Sequence, residues 1–221
     1  MHYEWDFSVV WRYHHILVEG AAGTLWLFAS AMAIAVPLGL FLCIVRLSRL
    51  PVISQLAIGY IELFRAFPAL VLIIWFYYAL PVLVQINFSA YVAGTLALGL
   101  QSAAYMSEVF RGGIESIGRG QREAAKSIGL SQRDAFRFVI FPQAVKRILP
   151  IFFTRVIELL KTTALAAPIT YLELFNAGTQ VSAHTFRPIE TYTVVALMYF
   201  AVIFLASQLT RRLERRLAIS D

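Results

Sequence analysis

The chain has 221 residues, of which 59% are hydrophobic and 14% charged, with a mean hydropathy of +0.70 and a formal net charge of +6. That composition leaves too little polar surface for a soluble domain of this size, so the chain reads as a membrane protein, and its uncharged runs of helix-spanning length make an all-α integral membrane protein the expected fold class. The basic excess lies beside apolar runs, as in cytoplasmic loops, which argues against nucleic acid as a partner, and the single cysteine, Cys43, excludes a disulfide framework and a cysteine-based metal site.

No cleavable signal peptide is expected, because Glu4, Asp6 and Glu19 stand where a basic cluster would be and the first apolar run is too long. Ala21 to Val45 carries no charge, and about 20 such residues cross a bilayer core. This predicts the first span. Arg46 and Arg49 follow, and Pro51 breaks the run. Ala66 to Ser107 is again uncharged, enough for two crossings that turn around Pro81, Gln85, Asn87 and Ser89. Spans two and three are therefore expected over Tyr60 to Leu80 and Ala90 to Phe110. Pro68 predicts a bend in span two, either as part of a gate or as a kink without one. Trp75, Phe76, Tyr77 and Tyr78 fit an aromatic belt towards the outer face. Glu62 with Arg65, and Glu108 with Arg111, have i, i+3 spacing near the cytoplasmic side and read as interfacial anchors.

Residues 119–142, RGQREAAKSIGLSQRDAFRFVIFP, form a charged island in this apolar chain. A short helix is expected from Gln121 to Ile128, ended by Gly129 in the left-handed position past a helix end. Ser131 is placed to cap a second helix, with Asp134 as the acidic partner of a capping box. Ala135, Phe136, Val139 and Ile140 share one face of it, and Pro142 is expected to stop it.

A fourth span is expected from near Pro150 to near Pro168, and a fifth from Thr191 to Thr210. The fourth contains Arg155, Glu158 and Lys161, and each such charge costs roughly 2.5 to 3.5 kcal/mol at the bilayer centre, so it faces protein or a wet cavity. Two readings stay open. The three charges can neutralise one another along one helical face, or Lys161 can offer its ammonium to a substrate carboxylate while Glu158 meets an ammonium or holds Lys161, with hydroxyls of Thr162 and Thr163 at the same level.

Orientation follows from the basic residues. Arg111, Arg119, Arg122, Lys126, Arg133, Arg137, Lys146 and Arg147 lie in the island loop, and Arg211, Arg212, Arg215 and Arg216 in the tail. These segments are expected inside, the N-terminus outside and the C-terminus in the cytoplasm. No P-loop, Cys-x-x-Cys or histidine metal pattern is present in the sequence, so the chain is not expected to be an enzyme or to hold a metal or cofactor.

The run Glu123-Ala124-Ala125, three residues, Gly129, nine residues, then Val139-Ile140-Phe141-Pro142 resembles the EAA signature of bacterial ABC importer permeases, with Val139 and Phe141 where isoleucine and leucine are usual. GAAGTLWL from Gly20, RLSRLP from Arg46, ELFRAFPAL from Glu62, SAAYMSEVFRGGIESIGRGQREAAKSIGLS from Ser102, FPQA from Phe141, ELLKTTALAAPI from Glu158 and FRPIETY from Phe186 resemble the histidine/glutamate/aspartate branch. Where that branch commonly reads FRGTP and KDTSL, this chain has FRAFP from Phe64 and KTTAL from Lys161, which removes an acidic residue beside the presumed substrate site.

The resemblance implies one permease domain of type I ABC importer fold over residues 1–221, with about five transmembrane helices and a cytoplasmic coupling-helix loop over about 111–147. It implies pairing with a second permease subunit, as homo- or heterodimer, two copies of an ABC ATPase carrying ATP and Mg, and a periplasmic or extracellular amino-acid-binding protein. Arg122, Glu123, Ala124, Ala125 and Gly129 would couple to the ATPase. The expected function is ATP-driven import of polar amino acids across the bacterial inner membrane, with glutamate or aspartate favoured; the alternative is an ion-coupled secondary transporter or channel.

Overall fold

The structure is a computed structural model that describes residues 3–48 and 50–217. Arg49 and the side chains of Arg215 and Arg216 lie outside the described residues. The described chain is helical: α1 is Ser8–Arg12, α2 His14–Arg46, α3 Pro51–Ala66, α4 Ala69–Ile74, and α5 Leu80–Val84 after a π-helical turn at Trp75–Ala79. After these come α6 Ala90–Glu115, α7 Arg119–Ser127 and α8 Gln132–Asp134. A second π-helical turn, Ala135–Ile140, leads into α9 Phe141–Thr162, a 3₁₀ segment Thr163–Ile169, α10 Leu174–Thr185 and α11 Pro188–Leu217.

The centre of the fold is α6. It packs along α2, where an added Cβ on Gly39 would lie 2.6 Å from the Met106 Cβ and 2.9 Å from the Ala103 carbonyl oxygen. Small residues let two backbones approach this closely in a membrane. Towards one end of this pair, Leu27 and Ala31 of α2 meet Ala93, Ala97 and Leu98 of α6, with Leu72 and Ile73 of α4 and Ala166 and Ile169 of the 3₁₀ segment. Towards the other end, Leu42, Ala103 and Ala104 bury against Ala57 and Ile61 of α3.

Among the described residues, two helices are long and apolar enough to cross a membrane, His14–Arg46 and Pro188–Glu214. A third crossing results if Pro51–Ala66 and Ala69–Val84, which meet at 102°, count as one broken span. The bend expected at Pro68 within the second span is present, and it divides the stretch from Tyr60 to Leu80 into separate helices. Phe67 is extended, with ψ of 139°, ahead of Pro68, because a proline disfavours helical backbone in the residue before it.

Pro142 does not end its helix. The chain continues from the π-helical turn directly into α9, with Pro142 in the first turn. A proline lacks an N–H and crowds the carbonyl four residues back, and the wider π turn just before it takes up that mismatch. Pro150 likewise sits inside α9 rather than at its start. The loop expected between spans four and five contains a full helix, α10. Its Leu174, Ala177 and Val181 pack with Leu17 of α2 and Val195 of α11.

Glu173 caps α10. It is fully buried, accepting the Phe175 and Asn176 amides at 2.8 and 2.6 Å and the Tyr199 hydroxyl at 2.5 Å. Burial lifts its carboxyl above the ordinary carboxylate range, and the three donated hydrogen bonds work against that lift.

Candidate functional site

A cavity of about 440 Å³ opens between α6, α9 and the α3–α4 bend. Arg155, Glu158, Leu159, Lys161 and Thr162 line it from α9, Leu98, Gln101, Ser102, Tyr105 and Met106 from α6, and Phe67, Pro68 and Ala69 from the bend. The helical repeat of 3.6 residues explains the α9 set: positions 155, 158, 161 and 162 return to one side.

Within this set, Arg155 donates to Glu158 Oε2 at 2.6 Å, and its guanidinium lies 4.9 Å from the centre of the Tyr105 ring. Arg65 of α3 lies 5.7 Å from the same ring. Thr162 spends its hydroxyl proton on the Glu158 carbonyl at 2.8 Å. Lys161 is exposed and has no ion pair among the described residues. The structure therefore brings Glu158, Lys161 and Thr162 together, with Glu158 held by Arg155 rather than by Lys161. Thr163 is not with them. It is fully buried and donates to the Leu160 carbonyl at 2.7 Å.

Sequence reasoning missed Gln101, Ser102 and Tyr105 as cavity residues. The signal for Gln101 was available, since it is the sole amide side chain in the uncharged stretch from Ala90 to Ser107.

Below the cavity, Glu108 of α6 is shared by three arginines. Arg46 of α2 binds one oxygen, Arg111 binds the other at 2.7 Å, and Arg65 approaches to 4.0 Å. Three of the residues expected as interfacial anchors, Arg65, Glu108 and Arg111, thus join with Arg46 to tie three helices to one carboxylate, while Glu62 takes no part.

The island loop is built as two short helices on a small apolar base of Ile117, Ile140 and Ala144. Helix α7 starts two residues before the expected Gln121 and ends in a Schellman arrangement. The Leu130 amide donates to the Ala125 carbonyl at 3.1 Å and the Gly129 amide to the Lys126 carbonyl at 3.0 Å, with Gly129 at φ of 81°. At Ser131, Oγ accepts the Asp134 amide at 3.2 Å while its own proton goes to Asp134 Oδ2 at 2.6 Å. Half of the expected capping box is present, the acidic partner binding the hydroxyl instead of the backbone. Of the residues expected to couple to an ATPase, Arg122, Glu123, Ala124 and Gly129 are exposed, whereas Ala125 is buried in the loop's own packing. Phe136 is exposed and only Ala135 and Ile140 of the expected apolar face are buried, because the π turn rotates successive side chains off the 3.6-residue repeat.

Residues 35–219 match the family described as binding-protein-dependent transport system inner membrane component. The chain belongs to this family. Its sequence is 33% identical to the glutamine transport system permease protein GlnP of Escherichia coli (strain K12), over 98% of this chain and 99% of that protein. The probable amino-acid permease protein YxeN of Bacillus subtilis (strain 168) is also 33% identical, over 97% and 96% of the two chains. The crystal structure of an amino acid ABC transporter with histidines superposes with a TM-score of 0.90 at 34% identity, covering 97% of this chain and 100% of that one. The chain is accordingly a permease subunit of an ABC importer in the inner membrane, a transport subunit rather than an enzyme. Membership implies an ABC ATPase, a second permease subunit and a binding protein as partners.

Proposed function

We propose that this permease carries a polar amino acid through the α6–α9 cavity, driven by an ATPase docked on the island loop. The observation that carries this reading is the meeting of Arg155, Glu158 and Lys161 with Gln101 and Ser102 around one space. Charged side chains at membrane depth face protein or water, yet Glu158 and Lys161 are exposed on a single chain. A second permease subunit, identical or not, would cover them and enclose the path. Two cations against one carboxylate leave a positive excess in the cavity. An acidic amino acid such as glutamate or aspartate complements that excess better than a basic one, and the names of the amino-acid permeases it resembles fit a polar amino acid in general.

Five crossings are proposed: α2, the bent pair from α3 to α5, α6, α9 and α11. Helices α6 and α9 have 26 and 22 residues, about 39 and 33 Å at 1.5 Å per residue, enough for the roughly 30 Å core. They lack the apolarity of α2 because α6 is wrapped by protein and α9 faces the path. With the island and α11's basic end in the cytoplasm, the N-terminus is outside. In the island, Arg122, Glu123 and Ala124 would touch the ATPase, Ala125 and Gly129 would fix the loop's shape, and two ATPase copies would carry ATP and Mg. Their closure would move α7 to α9 as a unit and switch the cavity's access.

Proteoliposomes containing this chain, a candidate ATPase and a binding protein test the reading. Amino-acid uptake is expected only with ATP and all components present. Uptake persisting without ATP or without the ATPase would overturn it.

A further inference from the structure

Gln101 is 6% exposed, lines the cavity, and uses its amide in one direction only. Its Nε2 donates to the Phe64 carbonyl at 3.2 Å and to the Phe67 carbonyl at 2.7 Å. The cause is at Pro68. In an unbroken helix the Phe64 carbonyl would receive the amide of residue 68, and proline has none. Gln101 supplies the missing donor from the neighbouring helix.

Both acceptors are carbonyl oxygens, which cannot donate, so the amide orientation is dictated: the NH₂ group faces the bend. The oxygen, Oε1, is left with no partner among the described residues, and it is not one of the buried side-chain atoms lacking a partner. It is therefore accessible. The pairing of α6 with α9 sets its level: Tyr105 meets Arg155 and Phe110 stacks on Phe152, so in these antiparallel helices Gln101 stands beside the turn from Glu158 to Lys161.

Resting on the cavity being the translocation path, we propose that Gln101 is a specificity-determining residue whose Oε1 is a fixed acceptor for the α-ammonium of the transported amino acid. Because the bend holds its nitrogen, the amide cannot turn over to serve a carboxylate. Glu158, with Oε2 engaged by Arg155, shares the ammonium, and Lys161 is left for the carboxylate end. The substrate then enters in one orientation, and compounds lacking a donor at that point are rejected.

The test uses the purified permease–ATPase complex and binding of L-glutamate, L-aspartate and L-glutamine, each compared with its counterpart lacking the α-ammonium: glutarate, succinate and glutaramate. Wild type is expected to prefer the ammonium-bearing member by about tenfold or more, the scale of a hydrogen bond to a charged group. Gln101→Met should reduce that preference to about two- or threefold. Since this variant also removes the donor to the bend, Gln101→Lys is measured beside it: an ammonium can still donate to the Phe64 and Phe67 carbonyls and offers no acceptor. Gln101→Lys should be thermally more stable than Gln101→Met without regaining the preference. Preference returning with stability in Gln101→Lys, or retained in Gln101→Met, would overturn the acceptor role while leaving the transport reading intact. A wild-type complex that binds none of the six compounds would instead sink the reading of the cavity, and this inference with it.

Discussion

Lys161 and Arg155 present cations to the same cavity in different states of engagement. Arg155 is tied to Glu158 and to the Tyr105 ring, while Lys161 has no ion pair among the described residues. A free ammonium can change partners as a substrate arrives, so Lys161→Ala is expected to lower uptake by about tenfold or more, the scale of one charge-assisted hydrogen bond, with ATPase co-purification unchanged. Normal flux and affinity in that variant would return Lys161 to a structural role. Arg155→Ala should change folding stability by less than about 1 kcal/mol, since the pair is half exposed and screened. Its larger effect should be on uptake, through release of Glu158. The charges in α9 were legible because they are improbable in a span. The placing of Thr163 with them was not correct, for a geometric reason: one residue along a helix turns the side chain by about 100°, so Thr162 shares the face of Glu158 while Thr163 turns into the packing. Gln101 could have been singled out as a costly amide in an apolar span, but its partners lie 34 and 37 residues away, and no local pattern announces them.

At the scale of elements, the island loop owes its shape to Gly129. A Cβ added there would meet nothing within 4 Å, so space is no obstacle, but φ of 81° is unfavourable for any L side chain. Gly129→Ala is expected to cost about 1 kcal/mol locally and to weaken ATPase binding, measured by co-purification, without affecting membrane insertion. Glu123→Lys should weaken ATPase association at unchanged thermal stability, because Glu123 is exposed on α7. If both variants bind the ATPase as wild type does, the island is not the docking element. The helix-ending role of Gly129 was readable from sequence, since the Schellman turn is set by residues three to five apart. The passage of the helix through Pro142 was not, because a π turn has no compositional mark of its own. Helix α10 was missed for a related reason: its FNAGTQVSAHT core has few large apolar residues, and its stability comes from Glu173, Leu17 and Val195, contributed by its cap and by two distant helices.

For the whole molecule, the proposed sidedness makes a prediction that one residue renders easy to read. Cys43 is the sole cysteine and is 1% exposed, so new cysteines report on themselves. Asn87→Cys lies in the exposed turn between α5 and α6, Ala183→Cys on the exposed side of α10, and Ile128→Cys at a position 76% exposed past the end of α7. With five crossings and basic loops held in the cytoplasm, the first two sites are outside and the third is inside. In intact cells producing the permease without its ATPase, a membrane-impermeant maleimide should label Asn87→Cys and Ala183→Cys but reach Ile128→Cys only after permeabilisation. Co-production of the ATPase should then protect Ile128→Cys even in permeabilised cells, because docking covers the island. An inverted pattern would reverse the orientation. Labelling of Asn87→Cys and Ile128→Cys from the same side would mean that α6 does not cross, and that would remove the path between them.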